Sequence, residues 1–212
     1  VLGDATGLVT TGVATATEAA TILGAQNSGA TTIAAVSDTA AQLRSLVLGV
    51  NDAITAATVT DTSVAISDLN ILNGKVGGDV DVSTVSTLTG SVAELTALLG
   101  GHGNLDNAPG FDTFATNTSI ILTGTVSAAD ANTAAAWTKG TGTLTATVAA
   151  DTAANLVSGT SQVSGDALTL TVIGAASAAD LLTLDTRTTV SVDISGVTTI
   201  TGTQADITSV YT

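Results

Sequence analysis

The chain has 212 residues, 18 acidic and four basic, for a formal net charge of −14, with no Cys, one His and 2% aromatic residues. Four scattered cations cannot build a phosphate-binding face, so nucleic acid and anionic membranes are excluded as main partners. Without Cys there is no disulfide framework and no thiolate metal site, while a hydrophobic content of 44% separates the chain from disordered acidic tails.

The opening residues Val1-Leu2-Gly3-Asp4 hold no Met, no basic stretch and no apolar run. The expectation is a processed protein or a piece of a longer one, with no visible signal peptide. No apolar run reaches the ~18 residues of a membrane helix, so no membrane insertion is expected.

A short word then recurs along the chain: Ser or Thr, two residues, an acid or amide, an aliphatic. Its copies are Thr15–Ala19, Thr39–Leu43, Ala65–Leu69 (lacking the hydroxyl), Ser91–Leu95, Ser127–Ala131, Thr152–Leu156, Ser177–Leu181 and Thr203–Ile207. The acid or amide stands at 18, 42, 68, 94, 130, 155, 180 and 206, spaced 24, 26, 26, 36, 25, 25 and 26 residues apart. One interval is long because about ten residues are inserted there, within residues 100–114.

The word is a capping box. The hydroxyl accepts from the N–H three residues on, and the acid or amide reaches back to the cap's own N–H. Thr39 with Gln42, Ser91 with Glu94, Thr152 with Asn155, Ser177 with Asp180 and Thr203 with Asp206 are read as structural caps. Ile22, Leu46, Leu72, Leu98, Leu184 and Val210 lie one turn further on and continue an inward face. Gly24, Gly49, Gly74, Gly100 and Gly159 are the expected stops.

Upstream of the caps the period changes to two. Residues 32–36, 80–82, 85–88, 144–148, 168–172, 190–194 and 197–200 read as short strands. One repeat is strand, bend, strand, capped helix and turn. About 25 residues with so little bulk cannot form a core alone, so the copies must stack. The predicted fold is a β-solenoid, parallel and β-helix-like, with one short capped α-helix in each of about eight coils. It forms a single domain over 1–212, with 100–114 as a loop insertion between the fourth and fifth repeats.

The words Val59–Gly74, Val82–Gly90, Ser177–Asp185 and Val197–Asp206 resemble Thr/Ala-rich repeats of giant extracellular surface proteins of marine unicellular cyanobacteria. Val36–Leu43 and Asp151–Leu156 are similar to repeats of long secreted bacterial adhesins. The resemblance implies a secreted, cell-surface, largely structural protein of surface-layer, filament or adhesin type, and no catalytic residues.

The column of acids and amides could be a Ca²⁺ ladder, but capping accounts for it more simply. The insertion differs, holding the only His, the only Pro and both Phe. Asn104, Asp106, Asn107 and Asp112 place four oxygen donors within nine residues, a donor set suited to Ca²⁺. Asp79 and Asp81 after Gly77-Gly78 are a weaker candidate. Thr58, Thr87, Thr147, Thr171 and Thr199 would stack into an outward row; such rows can order water or ice, but a β-branched ladder that suits a strand surface accounts for them more simply. His102 has no Ser or Asp partner in evidence for nucleophilic chemistry, so no enzyme is expected.

The function expected is a non-catalytic structural or adhesive module of an extracellular bacterial cell-surface protein. Its partners would be copies of itself, as stacked repeats or filament neighbours, or a surface glycan. The alternatives are a Ca²⁺- or glycan-binding module acting through 100–114, and a viral tail fibre or spike domain.

Overall fold

Every copy of the repeated word starts a helix, with the acid or amide at the third helical position. The computed structural model describes residues 7–25, 29–100, 108–112, 114–161 and 165–211. Its helices are α1 (Ala16–Leu23), α2 (Ala40–Arg44), α3 (Ile66–Asn73), α4 (Val92–Leu99), α5 (Ala128–Ala135), α6 (Ala153–Gly159), α7 (Ala178–Asp185) and α8 (Gln204–Val210). Helices this short are marginal in water. They persist because the aliphatic after the third position is buried: Leu43, Leu69, Leu95, Leu156 and Leu181 are each at most 4% exposed.

The strands between them are shorter still. They are β1 (Gly7–Val9), β2 (Val13–Ala14), β3 (Ala30–Ile33), β4 (Ala35–Asp38), β5 (Ala53–Ile54), β6 (Ala57–Val59) and β7 (Ser63–Ala65). Then come β8 (Val80–Asp81), β9 (Thr87–Gly90), β10 (Ser119–Val126), β11 (Leu144–Val148), β12 (Ala167–Thr169), β13 (Thr171–Ser177) and β14 (Asp193–Thr201). Alternation decides which side chains go inward. In β11, Leu144, Ala146 and Val148 are buried while Thr145 and Thr147 face out.

The chain forms two compact units. Unit 1 is Val1–Leu88 with Ala93–Thr116, and unit 2 is Thr89–Val92 with Asn117–Thr212. In unit 1, β1, β3 and β5 lie side by side, as do β2, β4, β6 and β8. Their pairing is parallel, with each residue opposite one about a repeat later: Val13 faces Ala35, Val36 faces Ala57 and Ala57 faces Val80. Ile33 and Ile54 face each other in the β1-β3-β5 ladder and are fully buried. In unit 2, β10, β11 and β12 run parallel, and so do β13 and β14. Leu168, Leu170, Val172, Leu181 and Leu184 fill its interior.

This architecture corrects the β-solenoid expected from the repeat. The protein is an α/β fold of eight helices and four mostly parallel sheets among the described residues, with no closed solenoid. A solenoid needs each ladder to run through every coil. Here β1-β3-β5 ends after three strands and β13–β14 after two. The register slips between Ile121 and Thr125, between Thr171 and Ile173, and again at Gly174–Ala175. At the first and last of these a glycine takes a left-handed backbone, Gly124 at φ +77° and Gly174 at φ +78°. Repeat spacing reports that copies stack; it does not report that their ladders stay continuous.

Because Gly124 and Gly174 hold φ values that a Cβ disfavours, alanine at either should destabilise unit 2 by ~1 kcal/mol. Gly74 is right-handed at φ −78°, and a Cβ there meets nothing closer than 3.6 Å. Gly74→Ala should therefore stabilise by ~0.4–1 kcal/mol through the unfolded chain. Urea unfolding of the three variants checks both signs.

Candidate functional site

The helix starts form the most regular set of polar side chains. Thr15 Oγ1 accepts from Glu18 N at 3.3 Å, while Thr15 N and Oγ1 both donate to Glu18 Oε2 at 2.9 Å. Those two donors hold the Glu18 carboxyl below its ordinary range, the backbone bond being the larger cause. Ser127 and Thr203 accept from the N–H groups of Asp130 and Asp206, and each donates its hydroxyl to that carboxylate at 2.8 Å. Ser177 accepts from Asp180 N at 3.0 Å. Ser91 directly precedes α4, whose third residue is Glu94.

Thr39 and Thr152 are caps with a difference. Each accepts from the third residue's N–H, of Gln42 and of Asn155. Their own N–H groups go instead to the preceding aspartates, Asp38 at 2.8 Å and Asp151 at 2.7 Å. Asn155 Nδ2 adds a bond to Asp151 Oδ1 at 2.8 Å, the main cause of that carboxyl's lowered pKa.

Further polar groups tie one repeat to the next. Asp38 Oδ2 takes the first N–H of the preceding helix α1, from Ala16, at 3.1 Å. Asp61 does the same for α2, accepting from Ala40 N at 2.7 Å. Asp52 accepts from Thr31 N and Gly49 N, both at 2.8 Å, and these bonds lower its pKa, Thr31's most. In unit 2, Asp166 accepts from Leu144 N at 2.7 Å. It is 5% exposed, and burial raises its pKa more than the Leu144 bond lowers it.

Three of the four cations serve the same end. Lys75 Nζ donates to Arg44 O and, at 2.6 Å, to Leu46 O, closing the C-terminus of α2. Arg187 Nη1 donates to Val157 O and Thr160 Oγ1 at the end of α6. Arg44 Nε meets Asp68 Oδ1 at 3.1 Å, joining α2 to the first turn of α3. Sequence reasoning missed these bonds because the partners lie 24 to 31 residues apart. The signal was present as cations recurring one repeat beyond the helix ends that they close.

The expected metal residues divide. Asn104, Asp106 and Asn107 lie outside the described residues, as does His102. Asp112 is exposed, and its N–H donates to Val80 O at 2.9 Å. Among the described residues no three His, Cys, Asp or Glu side chains cluster as metal ligands would. Asp81 Oδ1 accepts from Ser83 N in a local turn. The second half of the insertion is part of the core of unit 1. Phe111 pairs with Val80 in a parallel bridge, and Phe111 and Phe114 are 8% and 1% exposed with ring centroids 6.1 Å apart.

The expected threonine row is not built as read. Thr147 stands between Thr125 and Thr169, and all three are exposed. Thr171 faces Asp193, Thr199 faces Ala175, and Thr58 lies between Ser37 and Asp81. Thr147 and Thr171 lie in different sheets, and two register slips separate the pairing of Thr171 from that of Thr199. No family model matches the chain, and no curated protein or solved structure does either.

Two predictions follow from the caps and carboxylates. Ala65 starts α3 in the extended geometry of a cap but has no side-chain bond to give, and it is exposed. Ala65→Ser should stabilise by ~0.5–1 kcal/mol, while Ser127→Ala should cost ~1 kcal/mol, both read by chemical denaturation.

Glu18, Asp52, Asp151 and Asp193 all have lowered folded pKa values. Their stabilisation is present above the unfolded values, 4.5 for Glu18 and 3.8 for the aspartates, and is lost as pH falls through the folded ones. The melting temperature should thus fall in acid. Asp166 has the opposite sign, because its raised pKa marks a charge that folding disfavours. Asp166→Asn should melt higher than wild type at pH 7 and match it below the unfolded value of 3.8.

Proposed function

We propose that the chain is a non-catalytic structural or adhesive module of an extracellular bacterial cell-surface protein. One observation carries the reading: the polar side chains bind the protein's own backbone across repeats. Asp38, Asp52, Asp61, Lys75, Asp166 and Arg187 each bond to backbone atoms 20 or more residues earlier. Groups that an enzyme would aim at a substrate are here spent on cohesion between repeats. The Thr/Ala-rich words of the sequence support the surface assignment by resemblance.

The test is location. An antiserum against the chain should label unbroken cells of its source organism, and external protease should remove the label. A signal that appears only after cells are broken would sink the proposal.

A further inference from the structure

The run Ala167–Ser177 holds eleven residues with no charge and no proline. Within it, Leu168–Ile173 is six residues of leucine, threonine, valine and isoleucine, the composition of a segment that pairs with copies of itself. In the fold this run makes β12 and β13. β12 pairs with β11 along one edge, and no described strand takes the other. Native edge strands are blunted by a charge, a proline or a bulge. β12, Ala167-Leu168-Thr169, has none of these, and its register with β11 is unbroken.

A side chain closes this edge. Leu168 N donates to Thr188 Oγ1 at 2.9 Å, and the same hydroxyl donates to Leu168 O at 2.7 Å. Val190 N donates to it as well, at 3.1 Å. A hydroxyl has one proton and two lone pairs, so its bonding capacity is fully used. To one side, Thr189 N and Oγ1 donate to Asp166 O at 2.8 and 3.2 Å; to the other, Asp193 N donates to Leu170 O at 2.9 Å. Residues 188–192 form no strand of their own. At Leu168 the Thr188 hydroxyl therefore makes both bonds that a neighbouring strand would make. β8 is closed differently, by backbone: Val80 N donates to Gly110 O and Asp112 N to Val80 O, both at 2.9 Å.

We propose that Thr188 guards the outer edge of β12 against pairing with β12 of a second copy of this chain. The excluded partner follows from the segment. Without the hydroxyl, Leu168 N–H and C=O are left unpaired on an uncharged strand with no proline, and the same edge opens on every copy. Identical segments of this composition match each other side chain for side chain. Two opened β12 edges meet antiparallel across a two-fold axis and close on one another, so the product is a dimer that grows no further. Mispairing between like strands is the characteristic failure of repeat proteins, and here one hydroxyl stands against it. The guard acts wherever the protein resides, so it does not depend on the surface reading above.

The experiment is sedimentation of the full chain over a concentration series, with wild type beside Thr188→Ala, Thr188→Val, Thr188→Ser and Ser127→Ala. The first two lose the hydroxyl, Val keeping the bulk, and Thr188→Ser retains it. Ser127→Ala removes a helix cap elsewhere in unit 2 and controls for lost stability alone. Thr188→Ala and Thr188→Val should shift to twice the wild-type mass at concentrations where the other two variants stay with wild type. In their undimerised form the Leu168 amide should exchange roughly tenfold faster, the equivalent of one lost hydrogen bond. The proposal is overturned if neither hydroxyl-free variant doubles, or if Thr188→Ala alone does, which makes bulk the guard. Doubling of Ser127→Ala, or growth of the Thr188 variants past a doubling, also overturns it. Wild type supplies a check that needs no variant to fold. Its Leu168 amide should exchange as slowly as that of Ala146 in β11, a strand paired on both edges; fast exchange there would mean that the hydroxyl holds nothing.

Discussion

Parallel pairing between residues one repeat apart is the constraint on which the rest depends. Each ordered residue costs ~1–2 kcal/mol of backbone entropy, and a fully buried Leu or Ile contributes only ~1.5–3 kcal/mol. A repeat made mostly of Ala, Thr, Ser and Gly cannot close that gap alone. Placing Ile33 against Ile54, or Ala146 against Leu168, lets one repeat's aliphatics form the wall of the next. The small side chains are then an advantage, because the layers between neighbouring strands are thin.

The polar groups follow from that arrangement. A short helix leaves up to four N–H groups and four C=O groups unsatisfied at its ends. With eight short helices, ends are a large share of the backbone. Local caps satisfy some of them, and the neighbouring repeat supplies others. Asp38 shows both at once, one oxygen on Thr39 N of its own repeat and the other on Ala16 N of the repeat before. Lys75 and Arg187 do for C-termini what the aspartates do for N-termini. The same bonds that satisfy the backbone therefore fix how repeats register, and cations so engaged are not available to an anionic ligand.

What the sequence disclosed depends on the range of the interaction. All eight helix starts were legible, because a cap and its partner are three residues apart. Strand β11 was legible from its strict alternation over 144–148. β1, β2, β5 and β7 went unread, being two or three residues long, and so did β10, whose eight residues lose the strict alternation around Gly124. The continuous solenoid was overread, since equal spacing cannot reveal a register slip at Gly124 or Gly174. Phe111 and Phe114 were placed in a loop because they fall in the irregular interval, yet the chain there returns to pair with Val80. The buried carboxyl of Asp166 carried no local signature, because its partner Leu144 is 22 residues away.

Charge sets the scale on which such a protein meets its surroundings. A net charge of −14 repels other copies at long range, and that repulsion is screened beyond ~8 Å at physiological ionic strength. Apolar contact acts only at touching distance and is far less sensitive to salt. The carboxylates Asp38, Asp52 and Asp61 bond to backbone N–H groups rather than to cations, so cohesion between repeats does not consume the negative charge. Internal order and external repulsion are thereby set by the same residues. Salt alters the second much more than the first, which lets ionic strength govern how copies approach while each copy stays folded.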